Sequence, residues 1–527
     1  MYLLIDENSS IYKGAKATSN HPTYTRQVKL RKSFATCYRH CSLQYILYAV
    51  KGIQLKRYGY VFSAFDEDMS FNRNKYNPFN FKTFMLTHLN NISIKKLLSN
   101  KNRQVKKAAK NKHNVKDFGP GNCRLTKTDI SYIVYGACFL ASGGGGPLGL
   151  ALMFMDKMLN DADVMHYVNP DNLKADKNIA FVAGLGAPDK IFEGFGQTVA
   201  LNAFLEMNNY LTQSGQEPLG YLIPVEMGAM NTLIPFIISA KKGIAIINGD
   251  PCGRAMPELS MTLFNINKLP ANPVILTSDT DESGHYQKII VQVKDADDAE
   301  NQARRFAQSH NSTAGMACYP MRGTDLNCSI LSNKNWAKFI QWTVGFAWNL
   351  GRHMVELEDY NKFLVFLDSF PLTSYTLFEG IITDKEVREI SGFNVGKIIV
   401  SNGIETFFIY YKNESLLAWN VTRKCYVAMG PDSINFLARK NAQPFSNSDI
   451  NSAPQKNSKN IALGTEIGII GLCADEKLKN TELVDLFLAN IEETLAAFPE
   501  DHIPVPDRYI PLPNLMSHYI RWPKYRA

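Results

Sequence analysis

The chain has no Cys-x-x-Cys pair, no His-x-x-x-His or His-Glu-x-x-His motif and no Gly-Lys-Ser/Thr element. The first absences remove the spacings by which zinc sites are read, and the last removes a phosphate-binding P-loop. Cysteine is sparse: Cys37, Cys41, Cys123, Cys138, Cys252, Cys318, Cys328, Cys425 and Cys473 are scattered and odd in number. That pattern argues against a disulfide framework and for reduced thiols in the cytoplasm. A secretory leader is not expected, because Asp6 and Glu7 stand where such a segment needs basic residues. No metal or cofactor is expected. A metal held by the carboxylates of Glu226, Asp250 or Glu258 is the one route that spacing leaves open.

Long apolar runs are also lacking. The best candidate, Ile130 to Met155, carries no charge, but Gly143, Gly144, Gly145, Gly146 and Pro147 interrupt it. In hydrocarbon that break would leave backbone groups unpaired. The stretch therefore reads as two buried helices around a glycine loop, not as a membrane span. Thr126 and Asp129 have the spacing of a capping box at the start of the first helix.

Charge is unevenly placed. Residues 1–125 carry 23 Lys and Arg against 6 Asp and Glu, within a chain total of 57 against 49. A mildly acidic body thus follows a basic arm. The run from Lys95 to Lys116 suits a solvated tether or an exposed helix, and Gly119, Pro120 and Gly121 mark its end. The arm could hold polyanions by counterion release, but it carries no nucleic-acid motif. It is expected to be partly disordered and dispensable for the fold and chemistry of the rest.

From Ile179 onward, short apolar runs alternate with helical stretches. Strands are expected at 179–183, 222–225, 244–247, 273–277, 289–293 and 315–319. Helices are expected at 196–211, 231–240, 296–309 and 336–352. This alternation predicts an α/β domain over 126–370, a mostly parallel sheet with covering helices. After about 370, short runs at 376–380, 396–400, 406–411, 416–419 and 466–470 predict a smaller β-rich domain over 371–527, a barrel or sandwich.

Three polar, glycine-bearing clusters follow predicted strands. They run from Gly184 to Lys190, from Pro224 to Asn231 (PVEMGAMN), and from Gly249 to Glu258 (GDPCGRAMPE). Ligands of open α/β sheets sit beyond the carboxyl ends of the strands, so the three loops are expected to converge on one pocket that touches Gly143–Gly146. Each candidate has a plain alternative. Arg254 and Glu258, four apart, would make a helix-surface pair. Asp250 before Pro251 would cap a turn. Cys252 has no His nearby in sequence and reads as a buried inert thiol. Glu226, ending an apolar run, is the hardest to explain as a solvated charge. Gly144, Gly146 and Gly149 formally match GxGxxG, but that fingerprint needs a preceding strand where this chain has a helix pattern. A nucleotide-binding oxidoreductase rests on that match alone.

At these clusters the chain resembles the DUF917, or S-methyl thiohydantoin desulfurase, family. The resemblance rests on Ala141–Gly149 (ASGGGGPLG), on Gly186 to Pro188, on the Pro224–Asn231 run, and most on Asn248–Leu259 (NGDPCGRAMPEL); it continues through Leu377–Gly380 and covers about residues 126–515. It implies an α/β domain followed by a β-barrel-like one. It also implies a hydrolase acting on a small hydantoin-like or thiohydantoin-like ring, with release of methanethiol. Its members occur beside hydantoinase and oxoprolinase genes, which implies a partner of that type; a homo-oligomer is a further expectation. In that frame Glu226 or Asp250 is the general base. Arg254 and the amides of Gly143, Gly144, Gly145 and Gly146 stabilise negative charge. Glu258 orients Arg254, Asn231 binds the substrate's amide edge, and Gly186 lines the site. One departure stands out: the family's glycine run is followed by an acid, and here Gly146 leads straight into Pro147. A non-catalytic protein that binds a small metabolite or a partner subunit is therefore the alternative.

Overall fold

The structure is a computed structural model that describes residues 123–186, 190–191, 193–194, 196–326, 338–451 and 459–521. The expectations for the arm before Cys123, for Ala187 to Asp189 and for residues 336–337 lie outside these residues; the helix expected from 336 begins only at Thr343, after a short strand at Ile340–Gln341.

The first sheet uses strands β1 (Arg124–Leu125), β2 (Met165–Val168), β3 (Asn178–Gly186), β4 (Leu219–Leu222) and β5 (Ala245–Ile247). The short β6 (Gly249–Asp250) follows, then β7 (Val274–Thr277), β8 (Lys288–Val291), β9 (Thr313–Arg322) and β10 (Ile340–Gln341). The strand order is β1-β2-β5-β4-β3-β9-β7-β8, with β6 and β10 paired separately. Neighbours from β2 through β5 and β4 to β3 run parallel. β1, β9, β7 and β8 pair antiparallel. The α/β class holds, in a mixed sheet whose parallel part is the block that carries the candidate loops. The sheet begins at Arg124, just inside the stretch read as the arm, and Leu125 is buried.

Helices α1 (Lys127–Leu140), α2 (Leu148–Met158), α3 (Val199–Gln213), α4 (Ala229–Lys242), α5 (Ala296–Gln308), α6 (Thr343–Leu357) and α7 (Tyr360–Ser369) accompany this sheet. Side chains alternate across β3, as a pleated strand requires. Ala180 and Val182 join the core built with α1, α2, α3, α4 and α6, while Ile179 and Phe181 join the one built with α5. In α5 the buried residues Ala296, Ala299, Ala303, Phe306 and Ala307 form a helical stripe. The capping box at Thr126 forms: its hydroxyl accepts from the Asp129 N–H, and the Asp129 carboxylate accepts from the Thr126 N–H at 2.8 Å.

The second sheet is antiparallel. It uses β11 (Ser374–Ile390), β12 (Phe393–Ser401), β13 (Thr406–Lys412), β14 (Glu414–Asn420), β15 (Cys425–Met429), β16 (Ser433–Ala438) and β17 (Pro444–Phe445). A separate parallel pair, β18 (Ile450–Asn451) and β19 (Ile461–Ala462), precedes β20 (Glu466–Leu472). The order is β15-β14-β13-β12-β11-β20-β16-β17. β14 and β16 are neighbours in space although four strands stand between them in the pairing order. The sheet curls like a barrel without closing. Helices α8 (Thr481–Ala496) and α9 (Leu512–Arg521) follow it.

The glycine loop between α1 and α2 ties the two sheets together. The Ser142 N–H donates to Asn435 Oδ1 at 2.9 Å, the Ser415 N–H donates to the Ser142 carbonyl at 2.6 Å, and the Asn447 N–H donates to the Gly143 carbonyl at 2.6 Å. Pro147 offers no side-chain cap to α2. Asp449 supplies one, accepting from the Leu148 N–H at 3.1 Å and from the Ser446 N–H at 2.7 Å. Asp449→Ala is expected to cost about 1–2 kcal/mol, read by urea unfolding of the full chain. An unchanged midpoint would mean that α2 needs no cap.

Candidate functional site

β4 and β5 lie side by side and parallel, so the loops beyond their carboxyl ends open at the same sheet edge. The first loop carries Glu226 and leads into α4; the second runs through β6 and carries Asp250, Cys252 and Arg254. The glycine loop meets the first of them by backbone contact. A Cβ on Gly145 (φ +66°) would land on the Cα of Gly228, and the Met230 N–H donates to the Gly145 carbonyl at 2.9 Å. Only residues without a Cβ permit that approach at a positive φ.

Glu226 is buried. Its Oε1 accepts from Asn231 Nδ2 at 2.5 Å and its Oε2 from the Met256 N–H at 2.7 Å. Burial pushes its carboxyl up to about 7; these two donors and Arg254 pull it down, and the charge of Asp250 adds to the rise. Asp250 is fully buried as well, and burial also pushes it up to about 7. Its Oδ1 closes a turn by accepting from the N–H groups of Cys252 at 2.7 Å and Gly253 at 2.6 Å. Its Oδ2 accepts no hydrogen bond. The Thr343 hydroxyl, close enough to favour the ionised form, does not reach bonding geometry and has no partner of its own. Asp250 therefore caps a turn and still keeps one oxygen uncommitted. Cys252 is an inert thiol: Sγ donates to the Val225 carbonyl at 3.3 Å, and burial with the nearby carboxylates drives its pKa well up.

Arg254 sits beneath this group and reaches across to the second sheet. Nε donates to the Ala255 carbonyl at 3.0 Å. Nη1 donates to the carbonyls of Pro431 and Asp432 at 3.2 and 3.0 Å, and Nη2 to that of Ser415 at 2.9 Å. Its guanidinium lies over the Phe487 ring, 5.2 Å from the centroid. Burial lowers its pKa to about 10, and Glu414, Asp432 and Glu226 oppose that shift. It stays a cation, and its donors are largely spent on carbonyls.

Glu258 does not orient Arg254. It pairs with Lys412 at 2.6 Å, and Lys412 also holds Glu493 at 2.8 Å. The four-residue spacing would pair Arg254 and Glu258 only on a helix, and residues 251–258 are not helical. Asn231 is half-buried and committed to Glu226. Gly186 stands exposed at the end of β3, where a Cβ would meet Ile191 and Thr313.

Reading the sequence did not single out Glu414. It opens β14, is buried, and packs on the glycine loop: a Cβ on Gly144 would land on its carboxylate. The Gly145 N–H lies near enough to favour its ionised form. Burial raises its pKa well above the carboxylate range, Glu226 adds to this, and Arg254 opposes it. The signal for it was weak, because Lys412, Asn413 and Glu414 read as an ordinary polar turn.

Among the described residues no group of three or more His, Cys, Asp or Glu has a metal-holding arrangement, and no helix is long and apolar enough to cross a membrane. Residues 128–288 match the family model described as S-Me-THD-like, N-terminal domain, and residues 294–487 match S-Me-THD-like, C-terminal domain. A crystal structure of a protein from Chromobacterium violaceum shares the fold, with 23% identity and a TM-score of 0.61 over 74% of this chain and 99% of that one. No curated protein matches. The chain belongs to the S-Me-THD-like, or DUF917, family.

Proposed function

We propose that this member of the S-Me-THD-like family is a hydrolase of a small hydantoin-like or thiohydantoin-like ring, the S-methyl thiohydantoin being its expected form. One observation carries the reading. Glu226 and Asp250, both buried at the ends of neighbouring parallel strands, are pushed up to about 7, where a carboxylate exchanges protons with water near neutral pH. One of them takes the proton of a water that adds to the ring carbon bearing the sulfur. Glu226 is favoured, since its partner Asn231 is half-buried and leads to solvent. Arg254, with most of its N–H groups committed, contributes its charge to the negative ring. The C–S bond then breaks and methanethiol leaves. A cytoplasmic location and a hydantoinase- or oxoprolinase-type partner belong to the same reading.

The second reading is a protein that binds a small metabolite or a partner subunit without turnover. Its support is the commitment of both Glu226 oxygens to protein donors. The test is methanethiol release from an S-methyl thiohydantoin by the full chain, with thermal shifts by hydantoins, NAD and FAD alongside. Release supports the hydrolase. Stabilisation by a hydantoin without release supports the binder, and stabilisation by a nucleotide cofactor alone sinks both.

A further inference from the structure

We infer that Glu414, reaching the site from the second sheet, is the proton donor that complements Glu226, and that the glycine loop exists to seat it. This assignment rests on the hydrolase reading above.

The geometry is specific. Asn413, at φ +56°, turns β13 into β14 so tightly that Lys412 and Glu414 pair across it. Lys412 points its charge to Glu258 and Glu493, so it does not neutralise Glu414. The Glu414 carboxylate instead lies on the backbone of Gly144, where no side chain fits, with the Gly145 N–H near enough to favour its ionised form. That leaves Oε2 buried with no hydrogen-bond partner. The titratable groups around it are Glu226 from the loop after β4 and Arg254 and Cys252 from the loop after β6; the glycine loop adds none. A carboxyl with one buried oxygen unpaired, facing a second carboxylate, is stable there as the neutral acid. Two carboxyls whose environments push them apart are the pattern by which acid and base are told apart.

The proton cycle closes on these two residues. Water adds to the ring carbon, forming the C–O bond, and Glu226 takes one of its protons. The C=N π electrons move to the ring nitrogen, which Glu414 protonates. On collapse the hydroxyl proton returns to Glu414 as C=O forms and the C–S bond breaks. The methanethiolate leaves with the proton held by Glu226, and both carboxyls regain their starting forms.

The test uses the full chain, Glu414→Gln and Glu226→Gln. Glu414 holds its proton in the folded state after the unfolded chain has lost it. Its contribution to stability is therefore fully present below the unfolded carboxylate value, about 4.3, and is lost as pH rises from there through the folded one. Glu414→Gln is expected to remove one proton from that slope, about tenfold per pH unit in the unfolding constant. It should also cut turnover about 10²-fold or more and abolish the alkaline limb of the kcat/KM profile, while Glu226→Gln abolishes the acid limb. An unchanged slope with both limbs intact overturns the assignment. If Glu414→Gln does not fold, an infrared titration of the wild type decides, since no protonated carboxyl band surviving at pH 8 overturns it equally. If the wild type turns over no thiohydantoin, the hydrolase reading falls, while the slope still reports whether Glu414 carries its proton.

Discussion

Glu226→Gln is expected to lower turnover by about 10²–10⁴-fold while leaving the melting temperature within a degree or so of wild type. The amide matches the carboxylate in shape, and both contacts survive. Its carbonyl accepts the Met256 N–H, and half-buried Asn231 flips its amide to take the new donor. Removing a charge from a buried position costs nothing in desolvation. The measurement is methanethiol release with the melting curve recorded on the same preparation. A fall of several degrees with activity retained would make Glu226 a structural residue, and the hydrolase reading would lose its base.

Arg254→Leu should have the largest effect on stability, a loss of about 3–5 kcal/mol. The substitution strips hydrogen bonds from the carbonyls of Ala255, Pro431, Asp432 and Ser415, and leaves Glu226 and Glu414 without the cation that opposes their neutralisation. Arg254→Lys should recover little, because a point charge on a flexible stem cannot serve carbonyls in several directions. Urea unfolding of the three proteins checks this. A leucine variant within about 1 kcal/mol of wild type would show that the two sheets hold together without the guanidinium, and that its charge, not its bonds, keeps it there.

Much of the first domain was legible because local rules agree with one another there. The Thr126 capping box, the glycine loop between two helices and the strand–helix alternation from Ile179 each survive in the structure. Strand direction was not legible. β9 has the same apolar pattern in either direction, and only its pairing with β3 and β7 makes it antiparallel. The strand expected at 222–225 sits earlier, at Leu219–Leu222, because Pro224 begins the loop that carries Glu226. Glu226 was found from its odd position at the end of an apolar run, and Asp250 and Arg254 from the polar, glycine-bearing cluster that follows a predicted strand. Glu414 was hidden, since its burial comes from a loop some 270 residues away. Glu258 was misplaced, since its spacing to Arg254 has meaning only on a helix.

The cap of α2 has a consequence for the order of assembly. The Leu148 N–H is satisfied by a carboxylate 301 residues downstream, where the family's own pattern would place an acid beside it. At roughly 5–20 residues per second of synthesis, that is a wait of about 15–60 s. Through that interval the helix start and the glycine loop lack both Asp449 and the strands that Ser142 and Gly143 bind. The first sheet has all its strands by Arg322, yet the loop beside its candidate site is not fastened until the last third of the chain arrives.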